Sequence, residues 1–159
     1  MRLRARSILM TLPLLIGVAL STPSRAEAPR GPRPDPAMTA VLDAYFRIHD
    51  ALAGDRLAGV ADAAGALRKA ASSLKTPLKA ELAAAAAPLE KAKDLAAARD
   101  ALKALSEHLV GWAAEARATN VQVFSCDMAH AKWLQRGGEK LRNPYFGAEM
   151  LSCGEVVPL

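Results

Sequence analysis

Between residues 36 and 112, apolar side chains recur every three to four positions, the period of a helix with one buried face. In the first stretch, 36–53, Leu42, Tyr45, Phe46, His49 and Leu52 share a face. Asp35 before Pro36 is a helix-start signal: a side-chain acceptor for the free N–H groups of the first turn, then a residue that needs no donor. Gly54-Asp55 interrupts the pattern, which resumes with Leu57, Val60, Ala64, Leu67, Ala71 and Leu74. Thr76-Pro77 repeats the cap-then-proline signal. It opens a third helix over the alanine run to Ala87, and Pro88 ends that helix or starts the next. The fourth stretch is the most regular. Leu95, Ala98, Leu102, Leu105, Leu109 and Trp112 form a heptad seam, with Lys93, Asp100, Lys103 and Glu107 opposite. Burying each leucine contributes on the order of 1.5–3 kcal/mol.

After about Thr119 the helical period fades. Phe124, Trp133, Tyr145 and Phe146 lie here, with both cysteines. Gly137-Gly138, Asn143-Pro144, Gly147 and Gly154 punctuate the segment. Val121-Gln122-Val123 reads as a short extended piece, Met128 to Gln135 as a helical turn or two, and 143–147 as a turn. The expected fold is all-α: an up-and-down bundle of about four helices with a loop-rich C-terminal cap. Its expected organisation is a signal peptide over 1–28, a proline-rich linker over 29–36, and one helical-bundle domain over 37–159 with a Cys/Met/aromatic cap at 119–159.

The leader is read from Arg2, Arg4 and Arg6, an apolar run over 8–20, and small residues around Ala26 and Ala28 at signal-peptidase spacing. The run is too short to span a bilayer. The expected product is exported, soluble, and periplasmic or secreted, with no membrane span once the signal is cleaved. Removing 1–28 takes away four arginines and one glutamate, lowering the net charge from +5 to +2. The basic character therefore belongs largely to the leader. No dense basic face with stacking aromatics remains, so nucleic acid is not an expected partner. There is no Gly-rich phosphate loop, no His-Glu-x-x-His and no Gly-x-Ser-x-Gly, and the chain is read as a non-enzyme.

The chemistry that stands out is sulfur. Cys126-x-Met128 and Met150-x-x-Cys153 are two soft-donor pairs, and His130 adds a borderline imidazole. Thiolates and thioethers select Cu(I) and, by the same softness, Ag(I). Cys126, Met128, Met150, Cys153 and His130 are thus the candidate metal ligands, with Trp133 as a shield over the ion. The competing reading is a Cys126–Cys153 disulfide, usual in an oxidising compartment, which stabilises by about 3–4 kcal/mol in the chain-entropy account. Met128 and Met150 then fill core space.

Phe124-Ser-Cys126-Asp-Met128-Ala129, Ala131-Lys-Trp133-Leu134-Gln135, Asn143-Pro-Tyr-Phe-Gly147 and Met150-Leu-x-Cys153-Gly154 together resemble an exported bacterial domain-of-unknown-function family. That family occurs alone or appended to adaptor subunits of copper/silver-type heavy-metal efflux systems. Leu105-Ser106 fits its upstream pattern, although Ala101 stands where the family often has phenylalanine. Asp127 replaces the proline of the family's Cys-Pro-Met. The resemblance implies heavy-metal handling, with an efflux-pump adaptor or other periplasmic protein as partner. Three functions are therefore expected in competition. One is an extracytoplasmic soft-metal binding or heavy-metal efflux accessory protein. Another is a structural or protein-interaction module stapled by the disulfide. The third is a thiol-redox protein.

Overall fold

A computed structural model describes residues 35–159. The signal-peptide reading and the linker up to residue 34 lie outside the described residues. Helix α1 runs Pro36–Ala53, and the Asp35 side chain accepts from the Ala37 N–H at 2.9 Å. Helix α2, Val60–Ala71, is shorter than its apolar pattern. Gly59 precedes it at φ +83°, a left-handed backbone that glycine adopts without penalty. Helix α3 spans Leu78–Lys91 and keeps Pro88 inside its last turn, where the ring removes the one bond that an N–H at this position would make to the Ala84 carbonyl. Helix α4, Leu95–Glu115, starts on Asp94, whose carboxylate accepts from the Ala97 N–H at 2.8 Å.

Connectors over 54–59, 72–77 and 92–94 are short enough to fold successive helices back on one another. Each helix packs chiefly on its sequence neighbour, and Leu67, Leu82, Leu89, Leu102, Leu105 and Leu109 are fully buried between them. Among the described residues no helix is long and apolar enough to cross a membrane.

The expectation of an all-α fold needs correcting. Beyond the helical bundle lies a three-stranded antiparallel sheet ordered β2-β1-β3, with β1 at Val121–Cys126, β2 at Ala131–Arg136 and β3 at Glu155–Val157. The helical turns expected over 128–135 are instead a tight turn followed by β2. Trp133, Leu134 and Gln135 are buried in succession, because both faces of β2 are covered. A strand buried on both sides has no period of two to read, and packing overrides local preference.

The register pairs Phe124 with Trp133 on one face and Val123 with Leu134 on the other. The second face meets the bundle, where β2 packs on α4 and touches α1. The Tyr45 hydroxyl of α1 bonds the Ser106 hydroxyl of α4 at 2.8 Å and accepts the Leu134 N–H of β2 at 3.2 Å. The Arg136 guanidinium lies over the Phe46 ring, 4.5 Å from its centroid.

The first face is roofed by the segment 139–154. Gln135 donates to the Lys140 carbonyl and accepts from the Arg142 N–H and the Trp133 indole. The Tyr145 ring stands edge-on to Trp133 at 5.8 Å. Two polar clusters clamp this roof to α1. Asp50 pairs with His49, Arg136 and Arg142. Asp55 pairs with Arg99 and accepts the Ala148 N–H at 2.8 Å, while Arg99 also donates to the carbonyls of Leu52 and Pro144. Gly147 sits at φ +57°, and a Cβ there would collide with Asp55 and Arg99. The glycine is what lets the second clamp close.

Candidate functional site

In the β1–β3 ladder Ser125 faces Glu155. One step further along that register Cys126 faces Gly154, which brings Cys153 beside it. Gly154 has φ +138°, and a Cβ there would lie 2.8 Å from both the Ser125 carbonyl oxygen and the Trp133 ring. Only glycine lets the returning chain come this close. The result is a Cys126 Sγ to Cys153 Sγ distance of 2.7 Å, closer than two unbonded sulfurs ordinarily pack, with both cysteines as free thiols.

The two sulfurs have unlike surroundings. Cys126 is 2% exposed, whereas Cys153 is half-buried on the C-terminal loop. Burial alone raises the Cys126 thiol. Hydrogen bonds from the Cys153 thiol, the Ala129 and Met128 N–H groups and the Asn143 side chain outweigh burial and hold Cys126 below the usual thiol range. Cys153 is pushed up, first by its hydrogen bond to Cys126, then by desolvation and by the charges of Cys126 and Asp127. The site is an asymmetric dithiol, with negative charge favoured on the inner sulfur.

Asn143 holds the outer sulfur's backbone. This fully buried side chain donates to the Cys153 carbonyl at 2.9 Å and accepts the Tyr145 N–H at 2.8 Å. The 143–147 segment is thus a turn, as its sequence indicates, and also a strut under Cys153.

Met128 joins the two cysteines. It lies in the β1–β2 turn, is 61% exposed, and lines with Cys126 and Cys153 an open cleft of about 270 Å³. His130, at φ +47°, instead lines a larger groove of about 750 Å³ between α4 and the hairpin, with Asp100, Lys103, Glu107, Asp127 and Lys132. The Cys126 residue borders both spaces. Met150 closes a 3₁₀ turn over Gly147–Met150 and lines neither. Three of the five candidate ligands, Cys126, Met128 and Cys153, thus line one cleft; His130 shares a groove with Cys126 and another with Met128, and Met150 lines none of these spaces. Trp133 is not a shield over an ion. It is fully buried, stacked on Phe124 at 5.8 Å, and anchors the sheet.

The donor set fits a soft ion in kind, with one adjustment in geometry. Two thiolates on one ion at bond lengths near 2.3 Å stand about 3.8 Å apart in a tetrahedral shell and about 4.6 Å apart in a linear one. The pair at 2.7 Å is tighter than either. Admitting an ion requires Cys153, on its surface loop, to withdraw by about 1 Å or more. Among the described residues, no three His, Cys, Asp or Glu side chains form a group suited to a metal ion; Met128 is the further soft donor on the cysteine cleft.

The sequence of residues 41–134 matches the family described as Protein of unknown function (DUF3347). No curated protein and no solved structure matches the chain.

Proposed function

The chain belongs to the family of unknown function DUF3347, and from that premise we propose that it is an extracytoplasmic soft-metal binding protein, an accessory to heavy-metal efflux. The observation that carries this reading is the convergence of the Cys126 and Cys153 thiols with the Met128 thioether on one open cleft. Against burial, the hydrogen bond from the Cys153 thiol and then those from backbone N–H groups lower the Cys126 thiol, which favours the ligand-forming thiolate. Cu(I) or Ag(I) is the ion class that two thiolates and a thioether suit. Cys126 and Cys153 supply the thiolates and Met128 the third donor. The resemblance of 124–154 to domains appended to copper/silver efflux adaptors supports the same assignment and makes such an adaptor, or another periplasmic protein, the partner class. The leader at 1–28 supports export.

A second reading is favoured by the 2.7 Å separation: a non-catalytic interaction module stapled by a Cys126–Cys153 disulfide. One experiment separates them. Thiols are counted on protein taken from its native compartment, and the reduced chain is then titrated with Cu(I) against a competing chelator. Tight 1:1 uptake that Cys126→Ser abolishes supports the first reading. Absence of free thiols, with no uptake after reduction, overturns it in favour of the second.

A further inference from the structure

We propose that the pair is a thiol–disulfide exchange site at which Cys153 is the sulfur that bonds to an external thiol or disulfide compound, and Cys126 is the sulfur that leaves and returns. This goes beyond the soft-ion reading and does not depend on it.

Access decides which sulfur meets the partner. An attacking thiolate must reach its target along the S–S axis. Cys126 is 2% exposed, beneath the roof that Asn143 and Tyr145 help to form. Cys153, on the loop after the 3₁₀ turn, is the more exposed of the two cysteines that line the cleft with Met128. The more exposed residue, Cys153, is therefore the one an external sulfur meets first, with Cys126 Sγ 2.7 Å from Cys153 Sγ.

Position assigns the other role. Cys126 is the sulfur bonded to Cys153 in the oxidised pair, and the hairpin register, with the Ala129 N–H bond to the Cys126 carbonyl at 3.2 Å, fixes it in place to return. Starting from the oxidised pair, the external thiolate forms a bond to Cys153 Sγ as the Cys153–Cys126 bond breaks, and the electron pair passes to Cys126. A second thiol of the reductant then attacks its own sulfur in the mixed disulfide and releases Cys153 as a thiolate, which takes up a proton. The pair gains two electrons and the external dithiol becomes a disulfide. The reverse sequence oxidises the pair: Cys153 attacks an external disulfide, and Cys126 then displaces the partner.

The test uses the leaderless chain, metal-free in the presence of a chelator, with glutathione as probe. Oxidised wild-type protein is treated with limiting glutathione, quenched in acid, and the adduct is mapped by peptide mass spectrometry. The glutathionyl group is expected on Cys153 and not on Cys126. Reduced Cys126→Ser with glutathione disulfide is expected to hold a stable adduct at Cys153. Cys153→Ser is expected to react at least about tenfold more slowly while folded, and at a similar rate in denaturant. An adduct mapped to Cys126 in the wild type, or equal rates for the two folded variants, overturns the proposal. The wild-type mapping stands even if a variant fails to fold. A failed copper titration with Cys153-specific labelling removes the soft-ion reading alone; copper uptake with labelling at Cys126 removes only this one.

Discussion

Replacing Tyr45 with phenylalanine removes a single oxygen, the one that ties three elements together. The Tyr45 ring is fully buried, and its hydroxyl joins Ser106 of α4 at 2.8 Å and the Leu134 N–H of β2 at 3.2 Å. The change leaves the ring's apolar packing in place, so the cost comes from the two polar partners. Ser106 can turn its hydroxyl toward a carbonyl one turn back in α4 and recover a bond. The Leu134 amide cannot turn. Losing one intramolecular bond costs about 1 kcal/mol, and leaving a buried N–H unpaired costs a further 1–3 kcal/mol or so. The expected loss is therefore about 2–4 kcal/mol. With a urea dependence of about 1–3 kcal/mol/M, the midpoint falls by roughly 1–2 M at unchanged slope. Ser106→Ala should cost clearly less, because the tyrosine oxygen keeps the Leu134 N–H. Combining the two should cost little more than Tyr45→Phe alone. A midpoint shift worth under about 0.5 kcal/mol, or simple addition in the double variant, would refute the claim that this hydroxyl joins sheet to bundle.

Three further outcomes follow from the same geometry. Gly154→Ala forces a Cβ against the Ser125 carbonyl and Trp133 at φ +138°; a loss of at least about 2 kcal/mol is expected in chemical denaturation, together with slower closure of the sulfur pair. Asp50 is held down at about 2, first by its hydrogen bond with His49 and then, against partial burial, by Arg136. Because an unfolded aspartate titrates near 3.9, its stabilisation is fully present above that pH and is lost as pH falls through about 2. Half-exposed as the carboxylate is, the effect is about 1 kcal/mol, and Asp50→Asn should flatten that part of the acid-unfolding curve. In the Cu(I) titration Met128→Leu should weaken uptake and Met150→Leu should leave it unchanged, since Met128 alone of the two lines the cysteine cleft; equal effects would show that the shell is built differently.

What could be read from the sequence was what local pattern encodes. Asp35-Pro36 and Gly54 bound α1 correctly, and the leucine seam of α4 is buried as its spacing predicts. Val121-Gln122-Val123 does open a strand. The rest was hidden for definite reasons. Ala131 to Arg136 contains no β-branched residue and lies buried on both faces, so neither propensity nor alternation marks it as β2. Strand β3 has three residues and exists only because β1 offers an edge. The clamps join Asp50 and Asp55 to partners 44 to 93 positions away, and no periodicity links such distant charges. At the candidate site, two cysteines in one short chain point to their own pairing. Sequence spacing groups Met150 with Cys153, and its carbonyl does accept the Cys153 N–H at 2.9 Å, but Met150 does not line the cysteine cleft.

The physical unit is larger than the segment that defines the family. The matched region ends at Leu134, in the middle of β2, and includes Cys126 and Met128 but not Cys153. The helices within it nevertheless carry side chains whose partners lie beyond it. His49 bonds the Arg142 carbonyl at 2.9 Å, Asp50 takes Arg136 and Arg142, Arg99 takes the Pro144 carbonyl, and Asp55 takes the Ala148 N–H. Left without the segment after 134, these groups lose the partners that offset their desolvation, and Trp133 loses Tyr145 and Gln135 from its surroundings. The second sulfur is thus delivered by the same segment that completes the polar accounting of α1 and α4. Asn143, whose side chain donates to the Cys153 carbonyl at 2.9 Å, ties the loop that carries this sulfur to the roof that the two clamps hold on the bundle.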